Sequence, residues 1–215
     1  MTRRVVLWRH GQTAWNAEGR FQGQIDVPLD TVGRSQAAAA AAQLAQLPPT
    51  RIISSDLSRA LVTAGELATL AGLEVTVDER LRETNAGEWQ GLARDELMAN
   101  FGAELMAWAA GSDLKPGGGE RRSEVAARMV AAITDGLVEL PSGGTLVVAT
   151  HGGAARAAVG DLLGLPVEHW SILGVLTNCA WSVLTERVGP TGEVSWRLEE
   201  YNARSLPQTA FADDR

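Results

Sequence analysis

The chain has 215 residues, 45% hydrophobic and 21% charged, a balance ordinary for a soluble globular protein and long enough for one large domain. Its 19 basic and 26 acidic side chains leave a net charge of −7, which argues against a nucleic-acid partner, since that needs a basic face. It leaves room for a small anionic ligand, because a few arginines in a cleft focus positive potential locally.

Strands and helices alternate along the chain. Val5 to Trp8 reads as a buried strand that stops at Arg9-His10-Gly11. Ala37 to Leu47 reads as a helix stopped by Pro48-Pro49. Arg51 to Ile53 is a short strand; Ser54-Ser55-Asp56 offers a cap for a helix over Leu57 to Leu70, ended by Gly72. Glu74 to Val77 reads as a strand. Between Gly91 and Gly118 the pattern changes to short helical pieces with Phe101, Met106 and Trp108 before Lys115-Pro116-Gly117-Gly118-Gly119 breaks the chain, and 91–119 is read as an insert over a site. Glu120 to Leu140 carries helical apolar spacing, and Pro141 to Gly144 reads as a turn. Thr145 to Ala149 follows as a strand, and Gly153 to Leu163 as a helix. Ala180 to Arg187 and Glu193 to Glu199 read as late strands. The alternation predicts an α/β fold: a mostly parallel central sheet with helices on both faces and a small helical insert over the site. Residues 1–204 form one domain in this reading, with the insert at 91–119; residues 205–215 lack periodicity and are expected to be a loose tail.

The single cysteine, Cys179, rules out an internal disulfide and suits a reducing compartment. Arg3-Arg4 leads straight into a strand rather than an apolar leader, and no apolar stretch approaches membrane-spanning length, so a cytoplasmic location without membrane contact is expected. The three histidines, His10, His151 and His169, lack metal-ligand spacing.

Four segments fall where predicted strands give way to helices: Arg9 to Asn16, Ser55 to Ala60, Leu81 to Gly91, and Ala149 to Gly153. The carboxyl ends of strands are where open α/β sheets bind ligands. A lone histidine there is more often a packed core residue. Four such segments in order point instead to a functional site, and the Arg9-His10-Gly11 turn suits holding a phosphate against a nucleophilic histidine.

On these segments the sequence resembles the histidine phosphatase superfamily, phosphoglycerate-mutase-like branch, from Val5 to about Asn202. The resemblance implies that His10 is a nucleophile that becomes phosphorylated. It implies that Arg9, Arg59 and His151 complete the phosphate pocket and that Glu83 is the proton donor. Asn16, Gln22 and Gly23 would line the phosphate or leaving-group side. The residue chemistry agrees. A neutral imidazole is nucleophilic, arginine forks match phosphate oxygens, and the backbone N–H groups of the helix after Gly152 suit an anion. His151, if protonated, adds a third cation. Glu83 must hold a proton to protonate a leaving alkoxide. The scheme implies no cofactor and no metal.

Mutases of this superfamily carry Glu-Arg-His-Tyr at the acid, where this chain has Glu83-Thr84-Asn85-Ala86, and a long paired-arginine lid, which Arg121-Arg122 imitate only weakly. Hydrolysis is therefore preferred, with a cofactor-dependent mutase or a non-catalytic phospho-ligand-binding domain as alternatives. Arg80 to Thr84, Gly87 to Leu92, Asn178 with Trp181, and Trp196 to Leu198 make the chain most similar to actinobacterial glucosyl-3-phosphoglycerate phosphatases. Asn85 departs from them, since His is frequent there, as does Arg121, where Ser is common. The expected partner is a small anionic phosphate ester. Of the seven tryptophans, Trp15 and Trp89 are candidates to line the site, and Trp170 and Trp181 to form a homodimer interface.

Overall fold

The computed structural model describes residues 2–204; the expected tail at 205–215 lies outside them. Six strands, β1 (Arg4–Arg9), β2 (Arg51–Ser54), β3 (Val75–Val77), β4 (Thr145–Thr150), β5 (Trp181–Val188) and β6 (Val194–Ala203), form one sheet in the order β3-β2-β4-β1-β5-β6. The first four in that order run parallel, and β5 and β6 add an antiparallel edge. The helices are α1 (Ala14–Ala17), α2 (Thr31–Leu44), α3 (Ser58–Ala71), α4 (Arg94–Ala109), α5 (Arg122–Leu137) and α6 (Gly152–Leu162).

Strand β1 explains the layering. Val5 and Leu7 pack toward α5 and α6, while Val6 and Trp8 pack toward α2 and α3. A strand covered on both faces reads as a continuous apolar run, as Val5 to Trp8 does. The alanines of α2 and α6 let both helices lie close to the sheet. Trp170 and Trp181 are buried in these two cores, at 3% and 1% exposure, so neither is available as an interface residue. A third, smaller cluster belongs to the insert: Trp89 is fully buried against Phe21, Phe101 and Trp108, with ring centroids 5.7 to 6.3 Å apart.

Three elements differ from the sequence reading. Helix α2 starts six residues early, because Asp30 Oδ1 accepts the Gly33 N–H at 2.7 Å and caps it. Helix α3 lacks a cap from Ser54, Ser55 or Asp56. Its Ser58 N–H is met by Asp26 from a distant loop, which leaves Asp56 to pair with Arg82. The short pieces expected in the insert join into one helix, α4, interrupted only by the non-helical backbone of Phe101.

Candidate active site

Sheet register sets the site. Arg9 on β1 lies level with Thr150 on β4, so His10 and His151 leave adjacent strands side by side. Their ring centroids are 5.1 Å apart, close to the spacing of neighbouring strands. Ser54 on β2 is level with Ala149, which brings Ser55 beside His151. Beyond β3, a turn at Glu79–Leu81 carries the chain back to Glu83. The close approach at Gly11 requires glycine, since a Cβ there would stand 2.3 Å from the Gly33 carbonyl oxygen.

The His10 ring is buried, and its Nδ1 lies 2.6 Å from the Gly11 carbonyl oxygen. A carbonyl only accepts, so Nδ1 carries the proton and Nε2 keeps its lone pair. Burial, reinforced by the Arg9 and Arg59 guanidinium groups, holds His10 well below the ordinary imidazole range and therefore neutral. Arg59 is buried and pushed down to about 10 by desolvation, which still leaves it charged at neutral pH. Its fork donates to the Gly23 and Ile25 carbonyls at 2.8 Å each, and its Nε to His151 Nδ1 at 3.3 Å. His151 is thus an acceptor at Nδ1 and donates from Nε2 to Ser55 Oγ at 3.0 Å. The third cation conceived for His151 is absent in this state, because burial and the surrounding cations hold its pKa well down. Arg9 donates to the Leu176 carbonyl, and its buried Nε, packed beside Gly152, has no partner among the described residues.

Glu83 changes the expected role of helix α6. Its carboxylate accepts the Gly153 and Ala154 N–H groups at 2.9 Å and that of Thr84 at 2.8 Å. The helix N-terminus therefore holds this carboxyl rather than serving as a free phosphate cradle. Gly152 is buried behind Arg9, and Gly153 faces the cleft in its place. The Glu83 backbone is clamped as well. Arg128 donates to the carbonyls of Arg80, Arg82 and Glu83 at 2.6 to 3.0 Å and is ion-paired to Glu120 at 2.9 Å. Glu79 and Glu88, its neighbouring carboxylates, are exposed.

Arg9, His10, Asn16, Gln22, Gly23, Arg59 and Glu83 line one cleft of about 180 Å³, with His151 directly behind His10. Asn16 is tied by its side chain to Thr13 and Asn178, and Gln22 to Thr13. The outer cleft holds residues the sequence reading missed: Arg20, Phe21, Thr84, Trp108, Arg156 and Val175. Trp89 does not reach the cleft; it stands behind Trp108, which does. Trp15 is likewise not part of the lining. Arg122 is no lid: it is buried, lies 4.1 Å from the Trp108 ring centroid and donates to the Trp108 carbonyl. Arg156 was legible in principle, falling three residues after Gly153 on the same helical face.

A neutral histidine facing two guanidinium groups, with a carboxyl at hand, defines a phosphoryl-transfer site. The chain belongs to the histidine phosphatase superfamily, whose branch 1 family matches residues 5–202. It is 40% identical over 213 residues to the glucosyl-3-phosphoglycerate phosphatase of Mycolicibacterium vanbaalenii, covering 94% of this chain and 95% of that protein. The mycobacterial glucosyl-3-phosphoglycerate phosphatase solved with VO3 matches with a TM-score of 0.88 at 42% identity, over 94% of this chain and 99% of that one. A probable phosphoglycerate mutase, GpmB of Yersinia pestis, is 36% identical over 198 residues, covering 91% of this chain and 90% of that protein. No helix among the described residues is long and apolar enough to cross a membrane.

Proposed function

We propose that the protein is a phosphomonoesterase working through a phosphohistidine, with glucosyl-3-phosphoglycerate or a closely related phosphoglycerate ester as substrate. The observation that carries the mechanism is His10: neutral, buried, with Nδ1–H spent on Gly11 and the Nε2 lone pair free. Arg9 and Arg59 bind the phosphoryl oxygens and offset the charge that spreads over them in transfer. His10 Nε2 attacks phosphorus, and the bond from phosphorus to the ester oxygen breaks. This step requires a proton on Glu83, which passes to that oxygen as the alcohol leaves. Water then attacks phosphorus, Glu83 takes the water proton, the P–N bond breaks and inorganic phosphate departs. No step draws on a metal. Asn16, Gln22 and Gly23 shape the rim, with Gly23 and Gln22 acting through Arg59 and Thr13. The substrate follows the similarity to the mycobacterial phosphatases, which spans nearly the whole chain.

A phosphate-release screen over phosphosugars, phosphoglycerates and glucosyl-3-phosphoglycerate tests the reading, run with and without 2,3-bisphosphoglycerate. Dependence on that compound, with isomerisation instead of release, would replace hydrolysis by mutase chemistry. His10→Ala abolishes turnover in a folded protein; unchanged kcat sinks the mechanism. Cytoplasmic residence and a homodimer belong to the same proposal, the dimer resting on surfaces other than Trp170 and Trp181; light scattering reads its mass.

A further inference from the structure

Arg156 is the one cleft-lining arginine that donates no hydrogen bond and joins no ion pair among the described residues. Arg59 has three partners, Arg20 has Glu18, Glu96 and the Gly91 carbonyl, and Arg9 has Leu176. Arg156 has only an aromatic face, with its guanidinium carbon 5.9 Å from the Trp108 ring centroid. Arg122 lies against the same indole at 4.1 Å, so two like charges share one ring. Both guanidinium groups are depressed, first by desolvation, and Arg122 further by Arg156. The carboxylate whose charge reaches Arg156 is Glu83; Tyr201 faces it as a neutral phenol, its pKa pushed up to about 12 by burial. Glu83 is already held by three backbone N–H groups, and the Tyr201 hydroxyl donates to the Gly174 carbonyl. The buried Trp108 indole N–H is also without a partner. A half-buried guanidinium whose hydrogen-bond donors are unmet is costly, and a ligand anion would meet them.

The phosphoryl group is already served by Arg9 and Arg59. Arg156 stands about one helical turn along α6 from Gly153, the residue that holds Glu83. It lines the same cleft as Glu83, whose charge reaches it. We infer that Arg156 and Trp108 form a second anion subsite that takes the carboxylate of the leaving group, with Arg156 setting the preference for acidic esters. The inference rests on the phosphatase reading and assigns particular residues to the carboxylate of its substrate.

The test compares 3-phosphoglycerate with glycerol 3-phosphate, which has a hydroxymethyl group in place of the carboxylate. The wild-type protein favours the carboxylate ester in kcat/KM. Arg156→Gln lowers that selectivity ratio by about 10- to 100-fold, mainly through KM, and Arg156→Lys restores part of it. An unchanged ratio in Arg156→Gln overturns the subsite. Calorimetric titration of both esters into His10→Ala, with and without Arg156→Gln, reads the subsite without turnover. Preferential binding of 3-phosphoglycerate that Arg156→Gln removes supports it even where no ester is hydrolysed, an outcome that refutes only the phosphatase reading. Equal binding of the two esters refutes the subsite.

Discussion

Gly153→Ala separates the chemistry of the site from its stability. A Cβ at residue 153 would stand 2.7 Å from Glu83 Oε1 and 3.3 Å from its Cδ and Oε2. That first contact is about 0.7 Å inside ordinary van der Waals distance, so the carboxyl must retreat by a similar amount. The retreat costs little folding free energy, because the displaced atoms end a flexible side chain. Alanine also favours the helix by up to about 1 kcal/mol over glycine, so the melting temperature holds or rises. Catalysis responds differently. Misplacing a reacting group by about 1 Å costs roughly 100-fold in rate, close to 2.7 kcal/mol of activation free energy. Phosphate release from an alkyl ester such as glycerol 3-phosphate should therefore fall by about two orders of magnitude. Release from p-nitrophenyl phosphate, whose leaving group needs no proton, falls much less. Equal losses on both esters, or none, in a variant with unaltered melting would refute the placement of Glu83 as the acid.

Glu83→Gln gives the same contrast more strongly, with kcat on alkyl phosphates falling about 10²- to 10⁴-fold and aryl phosphates retaining most activity. Arg128→Leu removes a donor from the Arg80, Arg82 and Glu83 carbonyls and the ion-pair partner of Glu120. Among the described residues these groups keep only Gln24 at Glu83 and Asn85 and Gln24 at Glu120, and the variant should lose about 2 kcal/mol of unfolding free energy, read by denaturant titration. Its kcat on alkyl esters should fall more than on aryl esters, because the backbone of Glu83 loosens. The buried histidines set a pH dependence. His10 and His151 are both held well below 6.5, the value each takes in the unfolded chain. Below that pH the unfolded chain takes up protons that the folded one does not. Stability is therefore full above about pH 6.5 and falls below it, by up to about 1.4 kcal/mol per pH unit for each histidine. Urea unfolding at pH 7 and 5.5 checks the sign; equal stability at the two values counts against it. The same shift places the acid limb of kcat/KM below pH 6.5, since His10 stays neutral and nucleophilic there.

The sheet was legible in the sequence because β1, β2 and β4 are covered on both faces and therefore appear as unbroken apolar runs. Arg9, His10, Arg59 and Glu83 were legible because each follows a strand end closely, where a local motif and a spatial neighbour coincide. Long-range partners were not. Asp26 capping α3, Asp30 capping an α2 that opens on Thr-Val-Gly-Arg, and Glu83 taking the α6 N-terminus all pair residues through folding rather than spacing. Which tryptophan reaches the cleft was hidden for a related reason. Trp89 neighbours a motif residue in sequence, yet the insert's aromatic cluster buries it and turns Trp108 toward the cleft instead.

The clustering of the aromatic residues also bears on how the molecule opens. His10 and His151 follow the two innermost parallel strands, and the His10 N–H is bonded to the Thr150 carbonyl at 3.0 Å. Amides there exchange with solvent only when the whole sheet comes apart. The wall that bears Trp108 belongs to a small separate cluster, which should open at lower free energy than the sheet. Partial unfolding therefore dismantles substrate discrimination first and leaves the phosphate-binding half assembled. A protein warmed toward its transition should lose preference among esters before it loses the capacity to bind inorganic phosphate.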